Sequence, residues 1–130
     1  MAVVGIGVDA VEIERMAAAL ARTPALLERL FTDRERADCR LRDGGWRVGG
    51  LAARFAAKEA VAKALGSGVR GFSFCDIEVC RQVGGRPVVV LHRGAADHAA
   101  RLGVSRIHVS LSTSLRLAVA NVLLESTGDA

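Results

Sequence analysis

The stretch from Leu51 to Gly68, LAARFAAKEAVAKALGSG, constrains this chain more than any other, because it reads as a strong helix that carries charge inside its own apolar pattern. At 100° per residue Leu51, Phe55, Ala62 and Leu65 form one stripe, with Lys58 inside it and Glu59 on its edge. A fold built around this helix must either let Lys58 snorkel, its stem on the core and its ammonium in water, or have a reason to keep it there. Lys58 and Lys63 are the only two lysines, against 16 arginines, and both lie in this stretch. The helix stops at Gly66-Ser67-Gly68, where glycine takes positive φ and bares backbone N–H groups; an anion seat and a plain C-cap read alike.

Upstream, Ala2 to Asp9 reads as a strand, with Val4, Ile6 and Val8 on a core face and Gly5, Gly7 and Asp9 on a nearly bare one. The glycines admit a ligand or another backbone close to the sheet. Asp9 is placed to ligate a hard cation there, or to cap the helix that follows; spacing alone favours the cap. That helix runs from about Val11 to Ala21, with Arg15 and Arg22 on one side, and Thr23-Pro24 opens a short helix through Leu30. Thr32 and Glu35 have the spacing of a capping box at the start of a third helix.

The segment Arg40 to Gly50 is expected to be an exposed, mobile loop in which Trp46 serves as an anchor. Beyond the central helix, Gly71 to Arg81 reads as a strand, Gly84 to Pro87 as a hairpin tip and Pro87 to Leu91 as its return. Gly94 to Leu102 is an Ala-rich helix. Strands Ile107 to Ser112 and Leu117 to Glu125 close the sequence, with His108, Ser110 and Ser112 sharing one polar face. This order predicts an α+β domain with a mainly antiparallel sheet, formed by residues 1–130 as one unit.

Composition removes several function classes. Aromatic residues are 4% of the chain, and no nucleic-acid motif is present, so the formal charge of +4 points away from nucleic acid and towards an acidic protein or a phosphate-bearing ligand. Cys39, Cys75 and Cys80 show neither C-x-x-C spacing nor an even count, and read as free thiols of a reducing cytoplasm. No segment has the length of a membrane span, and Asp9 interrupts the apolar N-terminus before a signal-peptide core could form. A cytoplasmic protein is expected.

Three separated motifs, GIGVDAVEIER (Gly5 to Arg15), RFAAKEAVAKALGSG (Arg54 to Gly68) and HVSLS (His108 to Ser112), together resemble the holo-acyl-carrier-protein synthases, the small bacterial 4′-phosphopantetheinyl transferases. The resemblance implies that fold, and transfer of the phosphopantetheine arm of coenzyme A to a serine of an apo acyl carrier protein, with release of adenosine 3′,5′-bisphosphate. It implies magnesium, held by Asp9 and Glu59, with Lys63 on a phosphate of the coenzyme and Lys58 in support. Arg54, Gly66, Ser67, Gly68, Arg86, Pro87, His108 and Ser110 match positions bordering coenzyme A. Arg15 and Arg22 match those receiving the acidic carrier protein.

A homotrimer with sites shared between neighbours is likewise implied. The chain departs from the pattern at Thr113, usually His or Asp, and at Leu117, usually aromatic. A non-catalytic carrier-protein or coenzyme A binding module with the same fold is therefore the second reading. The proton acceptor for the serine, either a metal-held water or Glu59 acting through one, is left open by the resemblance, as is the choice among fatty-acid, polyketide and peptide synthesis.

Overall fold

The computed structural model describes residues 1–127. The elements are β1 (Ala2–Glu12), α1 (Ile13–Arg22), α2 (Leu26–Leu30), α3 (Asp33–Cys39), α4 (Val48–Leu65), β2 (Ile77–Arg81), β3 (Pro87–Leu91), α5 (Arg93–Arg101), β4 (Arg106–Thr113) and β5 (Leu117–Ser126). All strand pairs are antiparallel, in a three-stranded sheet ordered β1-β5-β4 and a separate β2-β3 hairpin, which fits the α+β expectation.

Helix α4 is the axis of the fold. Twelve of its 18 residues are buried, so the one-sided stripe expected of it is replaced by burial on nearly every side. One apolar cluster joins Ala56, Ala60, Val61 and Ala64 to β2, α5 and β5; the other joins Leu51, Ala52 and Ala53 to α1, α2 and α3. Glycine at Gly66 ends the helix in the left-handed region.

The sheet meets α4 through β1, and here two expectations are corrected. Gly5, Gly7 and Asp9 face the helix, not the bare side. Ile6 and Val8, expected in the core, are 70% and 54% exposed on the outer face. A Cβ at Gly5 would come within 2.0 Å of the Ala64 carbonyl oxygen, and one at Gly7 equally close to that of Ala60. Two strand residues advance ~6.6 Å and four helical residues ~6 Å, so glycines two apart track carbonyls four apart. Asp9, moreover, caps no helix. Strand β1 continues to Glu12, which pairs with Leu117, and α1 starts only at Ile13.

Smaller corrections share a cause, namely partners distant in sequence. Phe74–Asp76 forms a single 3₁₀ turn, so β2 begins at Ile77 and Cys75 and Cys80 do not share a strand. The segment expected to be a mobile loop is a short turn closed by an Arg40–Trp46 bridge, with the Arg40 guanidinium 4.4 Å from the Trp46 ring centre, and α4 already begins at Val48. The Thr32–Glu35 capping box forms as read.

Substituting Gly7→Ala should destabilise the fold by about 3 kcal/mol or more, because the clash is with backbone. Gly66→Ala, with nothing within 4 Å but φ at +81°, should cost only about 1 kcal/mol. Denaturant titration of the two variants tests the contrast.

Candidate active site

Strand β1 and helix α4, held together at the glycines, bring three charged side chains to one place. Lys63 leans back along α4, as helical side chains do, and its Nζ donates to Asp9 Oδ1 and to the Val8 carbonyl, both at 3.0 Å. The Lys63 side chain is 53% exposed and that of Asp9 19%, so the pair lies at the mouth of the seam. Glu59, one turn before Lys63, belongs to the same cluster. Partial burial, then the Asp9 carboxylate, push its carboxyl above the ordinary glutamate range, and Lys63 only partly offsets them.

Two carboxylates and an ammonium suit phosphate chemistry. Hard carboxylate oxygens fit a divalent cation such as magnesium, which takes one or two carboxylates and fills its remaining positions with phosphate oxygens and water. Among the described residues no group of three or more His, Cys, Asp or Glu side chains could make an all-protein cage. Lys63 is poised to partner an anion.

The other residues singled out in the sequence fall into separate groups. Gly66 (φ +81°), Ser67 and Gly68 (φ +62°) follow α4 as an open turn in which the Ser67 hydroxyl donates to the Gly68 carbonyl. Arg86, Pro87 and His108 line one cleft of about 280 Å³ with Gln82, which the sequence reading had not singled out. Ser110 lies two residues along β4 from His108, opposite Asn121, on the sheet's outer face. His108 Nε2 is 3.1 Å from Glu125 Oε1. Arg15 and Arg22 are exposed on α1, whose buried residues are Met16 and Leu20.

Arg54 is apart from all of these. It is buried against α3, its guanidinium donating to the Gly50 carbonyl at 3.2 Å and lying 3.5 Å from Asp38, while its buried Nε has no partner among the described residues. Lys58 does not snorkel. It is fully buried, and its Nζ donates to Glu35 Oε1 at 2.7 Å, to the Phe74 carbonyl at 2.9 Å and to the Ile77 carbonyl.

The two atypical positions leave the last hairpin regular. Ser114, not Thr113 or Leu117, closes its turn, accepting from the Arg116 and Leu117 amides and donating its own amide to the Leu117 carbonyl at 2.8 Å. Thr113 lines a further cleft of about 280 Å³ with Ser112, Ser114, Arg47 and Arg81. Those arginines had not been singled out; the only local signal was Gly49-Gly50, where α4 starts without a side-chain cap or an acidic residue in its first turn.

Comparison with known proteins gives the family. Residues 5–120 match the family model described as the 4′-phosphopantetheinyl transferase superfamily. The holo-[acyl-carrier-protein] synthase of Moorella thermoacetica is 50% identical over 93% of each chain. Among solved structures, the holo-[acyl-carrier-protein] synthase of Neisseria meningitidis has a TM-score of 0.86 and 32% identity, covering 96% of this chain and 100% of its own. The Helicobacter pylori holo-[acyl-carrier-protein] synthase in complex with coenzyme A has a TM-score of 0.80 and 28% identity, covering 92% and 99%.

Because Glu59 is protonated more readily in the folded than in the unfolded chain, its stabilising contribution is present in acid and is lost as pH rises towards its raised folded pKa. The Glu59→Gln variant should therefore melt a few degrees above the wild type at about pH 7.5 and lose that advantage at about pH 4. Thermal melts across this range check the sign.

Proposed function

Because the chain belongs to the 4′-phosphopantetheinyl transferase superfamily, we propose that it is a holo-acyl-carrier-protein synthase, moving the phosphopantetheine arm of coenzyme A to a serine of an apo acyl carrier protein. The observation that carries this reading is the cluster of Asp9, Glu59 and Lys63 at the seam between β1 and α4. The whole chain acts as one transferase unit, in the cytoplasm. A weakened binding module is not favoured, since the three charged groups stand together.

Asp9 and Glu59 would hold magnesium, which when bound neutralises charge on the diphosphate of the coenzyme and holds it in line for attack. Lys63 moves its half-exposed ammonium from Asp9 to a phosphate oxygen and stabilises the charge that develops there. The serine oxygen forms a new bond to the phosphorus bearing the pantetheine arm. The diphosphate P–O bond breaks, and its electron pair leaves with adenosine 3′,5′-bisphosphate. The serine proton passes to a metal-held water or to Glu59 acting through one. Arg86, Pro87, His108, Ser110 and the Gly66–Ser67–Gly68 turn border the coenzyme, and Arg15 and Arg22 meet the acidic carrier. Arg54, packed inside the protein, supports the start of α4.

We also propose a homotrimer with shared sites, a reading supported by where these groups stand. Asp9 is on the edge strand β1 and faces α4, whereas His108 and Ser110 are on the opposite edge strand, β4, and face outward. Because the two sets lie on opposite faces of the sheet, a coenzyme bound at one is screened from the other by the sheet itself. A neighbouring chain would supply the second set. The outer face, where Ile6, Val8 and Leu123 border a depression of about 480 Å³, supplies apolar surface for that contact.

Incubation with coenzyme A, Mg²⁺ and an apo carrier protein should add the mass of the phosphopantetheine arm to the carrier; no gain across a panel of carriers would refute the activity. Asp9→Ala and Glu59→Ala should each lower turnover on the order of 10²–10³-fold with the fold intact. Arg15→Glu or Arg22→Glu should raise the KM for carrier more than that for coenzyme A. Val8→Glu should convert a trimer, measured by light scattering, to smaller species with loss of activity.

A further inference from the structure

Lys58 and Glu35 are two fully buried charges to which the proposed chemistry gives no part. We propose that they form a positioning device that fixes the rotation and axial register of α4, and thereby places Glu59 and Lys63 against Asp9. The inference rests on the active site proposed above.

The surface of α4 creates the need. Its buried faces are largely methyl groups, including Ala52, Ala53, Ala56, Ala57, Ala60 and Ala64. Such a surface has shallow ridges, and ridges are what key one element against another. Contact with Gly5 and Gly7 sets the distance to β1 along one line, but about that line a smooth helix is weakly held. A roll by one residue is 100°, enough to turn Glu59 away from Asp9.

Lys58 fixes a point on the far side. Its ammonium has three N–H donors, and three acceptors lie on three other segments: Glu35 on α3, the Phe74 carbonyl in the 3₁₀ turn and the Ile77 carbonyl at the start of β2. Glu35 is held in turn. Its Oε1 also accepts from the Thr32 amide at 2.9 Å, and its Oε2 from the Val79 amide at 2.9 Å. These bonds are directional where methyl packing is not. Lys58 and Glu59 are adjacent on one rigid helix, so fixing the first fixes the second.

Stability is a poor explanation for the pair. Burial pushes the Lys58 ammonium below the ordinary lysine range, with Glu35 pulling it part of the way back. Replacing such a pair with matched uncharged side chains is often neutral or stabilising, whereas removing one partner alone strands a charge.

The test is the paired replacement in the full chain, Lys58→Met with Glu35→Gln, and as a second version Lys58→Met with Glu35→Leu. At least one double variant should fold, with a melting temperature within about 5 °C of wild type. Its affinity for Mn²⁺ alone should fall about tenfold or more, as when groups that orient metal ligands are removed. In the transfer assay kcat should fall at least about tenfold, while the KM for carrier, whose docking arginines lie on α1, is unchanged. A folded double variant with Mn²⁺ affinity and kcat within twofold of wild type would overturn the proposal; failure of both to fold would also do so, making the pair a stability element. If the wild type transfers nothing, the proposed activity fails, and the Mn²⁺ comparison still judges the pair.

Discussion

Backbone contact between a strand and a helix, unshielded by any side chain, governs this molecule. Where Gly5 and Gly7 lie against the Ala64 and Ala60 carbonyls there is no room for a methyl group, and the nearly equal advance of two strand residues and one helical turn makes the contact repeat. Because β1 lies so low on α4, a lysine side chain on the helix can reach both Val8 and Asp9. The same contact turns Ile6 and Val8 outward. One close approach thus builds the charged seam on one face of the sheet and the exposed apolar surface on the other.

Much of this was legible in the sequence, and the misreadings share a physical cause. A period of two shows which residues of β1 share a face but not which face is inside; the bulk of Ile6 and Val8 suggested one answer and the helix required the other. Asp9 looked like a cap because the pairing that carries β1 on to Glu12 is made with β5, more than a hundred residues away in the chain. Burial of Lys58 was hidden because its partner lies on α3. By contrast, the Thr32–Glu35 cap and the glycine stop of α4 depend on neighbours in sequence, and both were read directly. Asp9, Glu59 and Lys63 were marked by motif, and the structure brings them together. Arg54 was marked in the same way but is packed inside the fold.

The two lysines of α4 show how environment divides one residue type into two roles. Five helical positions turn through 500°, so Lys58 and Lys63 point about 140° apart, one to the interior and one to the seam. Lys58 has spent every donor on fixed acceptors and is disfavoured as a cation by burial. Lys63 holds two acceptors at an open mouth and can exchange them for a phosphate. The inner lysine is suited to hold geometry, and the outer one to meet charge that arrives with a ligand.

The same separation of frame from chemistry applies at the closing hairpin, where the sequence led to the expectation of an atypical site. Ser114 makes the side-chain bonds that set the turn, so the side chains of Thr113 and Leu117 are not needed to close it. Thr113 offers a hydroxyl beside Arg47 and Arg81. The hydroxyls of Ser112, Thr113 and Ser114 line that cleft together with the two arginines, and no carboxylate or imidazole is among its lining groups. The frame of the hairpin thus rests on Ser114, whereas at the seam the chemistry-bearing side chains of Asp9 and Lys63 bond directly to each other.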